Sequence, residues 1–167
     1  KYNTTIDRFF HAFVRIKMWA FKDMLTEVPR KNFVKTENIF ITCKAFVEVF
    51  GMSKQELAKE ILEYAQLFKT HLNDDVLDTR ISQHAGIKRI ACLINSTGSY
   101  AVIPYILYIL HEVDSEAERN EIFGLLETYL VRRILVKSTN NNYSDLFSEN
   151  LIGQRINTCQ TLKAYIE

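Results

Sequence analysis

Apolar residues recur at helical spacing along almost the whole chain, and this pattern constrains the fold more than any other feature of the sequence. In the clearest stretch they follow one another at intervals of four, three, four and four residues: Leu57, Ile61, Tyr64, Phe68 and Leu72. This spacing places them on one side of a helix. No run alternates apolar and polar residues for long enough to predict a sheet. The sequence therefore predicts an all-α fold, an irregular bundle of about six to seven helices with no significant sheet.

Local signals indicate where these helices begin and end. Ser53 with Glu56, and Ser115 with Glu118, have the spacing of capping boxes, and Gly51 can adopt the left-handed conformation that ends a helix. Turn-forming residues stand at 95–99 and 138–143. The predicted helices span about residues 6–25, 36–50, 53–72, 75–95 (weakened at Gly86), 100–112 (with Pro104 near its first turn) and 115–136, with a last helix from about residue 144 towards the C-terminus.

Composition and charge exclude several classes of protein. The chain is 47% hydrophobic, and 21 Lys and Arg against 20 Asp and Glu give a net charge of +1, so it is too apolar and too evenly charged to be disordered. Its 167 residues are enough for one self-sufficient core, and we expect a single helical domain over residues 1–167. Because the net charge is near zero, any binding to nucleic acid must come from a local basic patch.

The cysteines and the chain ends indicate where such a protein works. Cys43, Cys92 and Cys159 form no CxxC pair, so we expect free thiols in the reducing cytoplasm. The longest apolar stretch, Ala101 to Leu110, is far shorter than the ~20 residues that span a bilayer, so no membrane partner is expected. The first residues contain neither an initiator Met nor an apolar signal core, and we expect the chain to be an internal piece of a longer protein.

No catalytic, cofactor or metal site is predicted. The sequence contains no nucleophile elbow, no phosphate-binding glycine loop and no metal-binding histidine motif. Asp74, Asp75 and Asp78 resemble a carboxylate cluster for Mg²⁺, but they stand where a helix is predicted to begin, and first-turn acids usually serve the helix dipole. The histidines are scattered, and we expect core or boundary positions for them: His11, His71, His84 and His111.

Two groups of cations depart from an ordinary helical bundle. In the first helix Arg8, Arg15, Trp19 and Lys22 fall within one sector, opposite the stripe that contains Phe13. Arg15 and Trp19 are four residues apart and can form a cation–π contact. This sector is either a surface for phosphates, a base or an acidic partner, or a site where the tryptophan covers a neighbouring helix or domain.

The second group lies at the end of the helix over 115–136. Arg133 falls in the middle of its apolar stripe, with Arg132 at the edge. A buried guanidinium must find a carboxylate, helix-end carbonyls or an anion, or extend to solvent. The alternatives are an internal ion pair, or an interface at which Arg133 and Lys137 face a neighbouring domain or a phosphate.

The same helix carries a resemblance to a known family. The segment Leu126-Glu127-Thr128-Tyr129-Leu130-Val131-Arg132-Arg133 resembles an acid–x–Tyr–Leu–x–Arg–Arg helix of the GmrSD-like restriction family, in which a small polar loop and an amphipathic helix follow. Here the loop is residues 138–142, followed by Leu146-Phe147. Upstream, the run from Asp7 to Val14, with Lys17, is similar to another helix of the family but departs from it at His11 and Ala12. Phe46, and the residues from Glu56 to Phe68, occur in the order expected of the next two helices.

The resemblance implies a function for the parent protein. Members of this family couple a ParB-like nucleotide-binding domain to a helical region, and many add a His-Asn nuclease that cuts modified foreign DNA. Neither signature is present in this sequence. The resemblance therefore implies a helical scaffold or linker, non-catalytic by itself and without a cofactor, in a prokaryotic phage-defence protein. Its partners would be other domains of that protein or DNA. A protein–protein interaction domain unrelated to nucleic acid, docking through the Trp19 face, is the alternative.

Overall fold

A computed structural model describes residues 4–20, 39–73, 86–136 and 142–166. Within these ranges the chain is helical and contains no strand, as the sequence predicts. None of the described helices is both long and apolar enough to cross a bilayer. The α-helices of these ranges are α1 (Thr5–Ala20), α2 (Ile39–Glu48), α3 (Lys54–His71), α4 (Gly86–Thr97), α5 (Ile103–Glu112), α6 (Glu116–Leu135) and α7 (Cys159–Ile166). A short 3₁₀ turn, Tyr100–Val102, precedes α5, and a π-helical segment, Asp145–Asn150, precedes α7.

The predicted capping chemistry operates at the start of α3. The Ser53 hydroxyl accepts a hydrogen bond from the backbone N–H of Glu56 at 3.1 Å, and the Glu56 carboxylate accepts one from the N–H of Ser53 at 2.8 Å. These two bonds satisfy backbone donors that have no partner inside the helix. Just before them, Gly51 has φ +73°, the left-handed conformation expected after α2.

The core is built around α5. This helix is buried from Ile103 to Leu110, which confirms the prediction of a short apolar helix surrounded by the others. It packs against α1 and α3 on one part of its surface, while α6 packs against α4 and α7. Pro104 stands in the first turn of α5, where its missing N–H costs no helical hydrogen bond. Burial of both the apolar and aromatic side chains of these helices provides the main stabilising free energy.

The last predicted helix is not continuous, which corrects the sequence expectation. The Asp145–Asn150 segment widens into π-helical geometry, with a bond from the N–H of Leu151 to the carbonyl of Leu146. The turn then ends at Arg155, whose φ of +55° is left-handed. Such a conformation costs a non-glycine residue about 1–2 kcal/mol. The bonds around Arg155 are those of a Schellman motif, which ends the turn before α7 begins.

The region around α4 differs from the prediction at its C-terminal end. Gly86, the weak point of the predicted helix, is the first described residue of α4 and has a left-handed φ of +57°. At the other end α4 runs to Thr97, into the residues predicted to form a turn. The hydroxyls of Ser96 and Thr97 donate to the carbonyls of Cys92 and Leu93 at 2.7 and 2.8 Å, which satisfies acceptors that a helix end leaves free.

Several predictions fall on residues outside the described ranges. They concern the end of the first helix beyond residue 20 with Lys22, the start of the second at residues 36–38, the helix over 75–85 with the Asp74, Asp75 and Asp78 cluster and His84, and the loop that contains Lys137. The three cysteines are free thiols, as expected.

Candidate functional site

The acid–x–Tyr–Leu–x–Arg–Arg segment lies on α6, and its side chains have distinct roles. Glu127 forms an ion pair with Arg89 of α4, whose Nε lies 2.6 and 2.7 Å from the two carboxylate oxygens. Leu130 is buried in the core. The acid and the leucine of the segment therefore hold α6 against its neighbours.

Arg133 lies between two tyrosine rings. Its guanidinium carbon is 5.7 Å from the ring centroid of Tyr129 and 5.2 Å from that of Tyr143, which follows the polar loop. Its Nη1 also lies 3.4 Å from the Tyr129 hydroxyl. Cation–π attraction of this kind stabilises a partly desolvated guanidinium. The sequence did not predict these aromatic contacts of Arg133, and its two alternatives, an internal ion pair and an interface, stay predictions.

Arg132, the neighbouring cation, is placed differently. Its side chain is exposed and makes no hydrogen bond or ion pair within the part of the chain that the structure describes. Three apolar side chains follow it at the end of α6, with exposed fractions of 42% for Ile134, 75% for Leu135 and 74% for Val136. A free guanidinium beside exposed apolar groups is a composition typical of binding surfaces.

Arg8 and Arg15 of α1 do not form the exposed phosphate- or base-binding surface that the sequence offered as one of two alternatives, and Lys22 lies outside the described ranges. Arg15 is turned into the protein, where it donates to His11 Nε2 at 3.1 Å, to the Ser144 carbonyl at 3.1 Å and to the Ser148 hydroxyl at 3.0 Å. Arg8 lies over the ring of Tyr100, 4.6 Å from its centroid. The reason is that α1 is surrounded by other elements, so these guanidinium groups pack along its sides instead of facing solvent.

The burial of His11 has an electrostatic consequence. Burial, reinforced by the Arg15 guanidinium, lowers the pKa of His11 to about 3. The ring is therefore neutral at physiological pH, and its Nε2 accepts the bond from Arg15. His11 is a core histidine that positions Arg15, in agreement with the predicted core or boundary position of this residue.

Trp19 lies in the wall of a cleft with a volume of about 510 Å³. The backbone of Gly153 lies against its ring, because a Cβ at residue 153 would be only 3.2 Å from Trp19 Cε3. The other walls come from α1, α3, α5 and the turn before α7. The interpretation in which the tryptophan covers a neighbouring element is therefore supported on this side of the ring.

Charged and aromatic groups line this cleft. Nζ of Lys17 lies 2.5 Å from Oε2 of Glu60, and the two side chains are only 12% and 29% exposed. His111 stacks on Tyr64 with ring centroids 4.4 Å apart, and its Nδ1 lies 2.8 Å from Oε1 of Glu112. Burial, followed by the charge of Glu112, raises the pKa of Tyr64 far above its usual range. The phenol is therefore protonated at physiological pH.

The far side of the cleft is formed by the turn after the π-helical segment. Arg155 and Asn157 line it, and neither side chain has a polar partner among the residues that the structure describes. The turn is held in place by α5, because the Tyr105 hydroxyl donates to the Ile156 carbonyl at 2.7 Å. This wall of the cleft is therefore held in place and exposes two polar side chains, Arg155 and Asn157, that are available to bind a ligand.

Sequence reasoning did not find this cleft. Its residues come from segments up to 141 positions apart on the chain, from Ile16 to Asn157, and no motif links them. The one local peculiarity is Arg155, which occupies a left-handed position that glycine would suit better. This peculiarity is not visible in the sequence, because the sequence does not reveal φ. Among the described residues no group of three or more His, Cys, Asp or Glu is arranged to hold a metal ion.

Comparisons of this chain with family models, with curated proteins and with solved structures found no match.

Proposed function

We propose that this chain is the helical module of a GmrSD-like restriction protein, cytoplasmic and non-catalytic by itself, which couples a nucleotide-binding domain to a nuclease or to DNA. The observation that supports this function most directly is the arrangement of the Tyr-Leu-x-Arg-Arg segment. Its glutamate, leucine, tyrosine and second arginine are used within the fold, whereas Arg132 is exposed and uncommitted. A side chain without a structural role in such a segment is available to contact a partner.

The physical setting of Arg132 suits contact with an anionic group. A guanidinium presents a planar fork of donors that matches a phosphate or a carboxylate. The Tyr129–Arg133–Tyr143 cluster beside it fixes the end of α6, so little further ordering is needed on binding. DNA or an acidic surface of a neighbouring domain would meet a cation carried on a fixed helix end there.

Fluorescence anisotropy with a labelled DNA duplex over a series of salt concentrations tests the DNA contact. If Arg132 contacts a phosphate, Arg132→Ala lowers the slope of log K against log salt by about 0.9 and weakens binding to all sequences alike. Lys69→Ala is the matched control, since it removes one exposed cation from α3 and should leave the slope unchanged. Equal slopes for wild type and Arg132→Ala would contradict a phosphate contact by this residue.

The second candidate function is docking of a protein partner without nucleic acid. The exposed Ile134, Leu135 and Val136 favour it, because contiguous apolar groups at the end of a helix are typical of protein interfaces. No binding of duplex DNA even at low salt would favour this candidate. A flanking nucleotide-binding domain in the full gene product would support the restriction function, and its absence would contradict it.

A further inference from the structure

The cleft between α1, α3, α5 and the turn before α7 has the electrostatic character of a ligand site. Its volume of about 510 Å³ lies within the usual range for small-molecule pockets. Two cations, Lys17 and Arg155, and two carboxylates, Glu60 and Glu112, line it, so their formal charges cancel. A polyanion would be repelled by both carboxylates, and a polycation would be repelled by both cations. The cleft therefore favours a ligand that carries one charge of each sign.

The positive side of this cleft is maintained at a conformational cost. Arg155 is the one described non-glycine residue with a positive φ, at +55°. It occupies the position of a Schellman motif at which glycine is strongly preferred. An arginine there strains the backbone and makes no polar contact within the described chain. Local strain retained at the wall of a cleft points to a use for the side chain.

Arg155 and Asn157 together suit a carboxylate. The guanidinium offers parallel N–H donors that match two carboxylate oxygens, and the amide of Asn157 adds a further donor. Both residues belong to the turn that Tyr105 anchors through the Ile156 carbonyl. The pair is thus held on a rigid support, which reduces the cost of binding.

The negative side of the cleft suits an ammonium group. Oε1 of Glu112 is already bonded to His111, which leaves Oε2 for a second donor. Tyr108 lies between the two sides of the cleft and interacts electrostatically with both. Burial and the charge of Glu112 raise the pKa of Tyr108, and the charge of Arg155 lowers it. Its hydroxyl therefore lies within the fields of both charges. Lys17 and Glu60 pair with each other, which leaves Arg155 and the second carboxylate oxygen of Glu112 as the opposed groups for a ligand.

We propose that this cleft binds a zwitterionic ligand of the α-amino acid class, with its carboxylate at Arg155 and Asn157 and its ammonium at Glu112. The ligand side chain would lie against the aromatic walls, which include Trp19 and Tyr108. This site is separate from Arg132, so its test is independent of the restriction function.

The single tryptophan of the chain provides the readout, because it stands in the wall of the cleft. Each standard L-amino acid other than tryptophan and tyrosine, which would add their own fluorescence, is titrated while Trp19 emission is followed, up to about 10 mM. L-tryptophan and L-tyrosine are titrated by calorimetry. At least one amino acid should give a saturable signal. If L-phenylalanine binds, phenethylamine, which lacks the carboxylate, and 3-phenylpropionate, which lacks the ammonium, should each bind at least about tenfold more weakly. For another amino acid, its own decarboxylated and deaminated forms are compared in the same way.

Arg155→Gly separates binding from stability. Glycine relieves the left-handed strain, so we expect the melting temperature to rise by about 2 °C while affinity falls at least about tenfold. Gln154→Gly is the matched control: Gln154 is exposed and outside the cleft, and this variant should keep the affinity without gaining stability. The proposal is overturned if no amino acid gives a saturable signal, if a singly charged analogue binds as well as its amino acid, or if Arg155→Gly keeps full affinity.

Discussion

The carboxylate of Glu118, in the first turn of α6, accepts a hydrogen bond of 2.6 Å from the backbone N–H of Cys159, at the start of α7. The sequence suggested that this glutamate closes a capping box with Ser115. Only half of that box forms: the Ser115 hydroxyl accepts from the N–H of Glu118 at 3.3 Å. The side chain of Glu118 instead caps a second helix 41 residues away. One residue thus joins the starts of two helices.

Glu118→Ala should destabilise the fold through α7. The substitution leaves the partly buried N–H of Cys159 without its acceptor, which costs about 1–3 kcal/mol. Glu118→Gln keeps a neutral acceptor and should lose less. Urea unfolding measures both changes. Glu116→Ala removes an exposed acid from the same turn and should cost only about 0.5 kcal/mol, so a similar loss in both alanine variants would argue against a special role for Glu118.

Acid should weaken the fold through His11. Its pKa in the folded chain is about 3, well below the value of 6.5 for an exposed histidine. Between these values the unfolded chain binds a proton that the folded chain does not, so stability falls as the pH falls from about 6.5 towards 3. From pH 7 to pH 5 the loss is about 2 kcal/mol, measurable as a decrease in the free energy of unfolding.

His11→Gln should reduce this pH dependence, because glutamine keeps a polar group near Arg15 but does not titrate. Part of the slope should remain, since burial also lowers the pKa of His71. Unfolding curves for the variant that lose stability with acid as steeply as wild type would show that His11 is charged in the fold.

The aromatic enclosure of Arg133 predicts coupling with Tyr143. Arg133→Ala and Tyr143→Leu each remove one side of the 5.2 Å contact, and a double-mutant cycle should give a coupling of about 1 kcal/mol. Tyr143→Phe keeps the ring face and should retain most of that coupling. An additive cycle would show that the guanidinium gains nothing from the ring.

Gly153 should not tolerate a side chain. A Cβ there would lie 2.2 Å from the carbonyl oxygen of Glu149, a backbone atom, as well as close to the Trp19 ring. We expect Gly153→Ala to cost about 1–3 kcal/mol and to shift the emission of Trp19. The matched variant is Gly124→Ala in α6, where an added Cβ meets nothing within 4 Å. That substitution should stabilise the helix by about 0.5–1 kcal/mol, since alanine is the better helix former. Equal effects at both glycines would contradict the close approach at residue 153.

The helical class, the cap at Ser53, the left-handed Gly51 and the buried α5 could all be read from the sequence. Each depends on residues within one or two turns of each other, where spacing and side-chain chemistry act directly on the backbone. The continuous last helix was wrong because a π-helical segment and the strained turn at Arg155 depend on contacts with α1 and α5. Local propensity does not contain those contacts.

What the sequence alone determined is therefore the set of helices and the faces they bury, because both follow from short-range periodicity. Only the tertiary structure decided how the polar side chains are used. It turned Arg15 inward to the Ser144 carbonyl, placed Arg133 between two rings, and brought Lys17, Glu112 and Arg155 to one cleft. A charged side chain takes the partner that helix packing brings within reach, and for these residues that partner is far away along the chain.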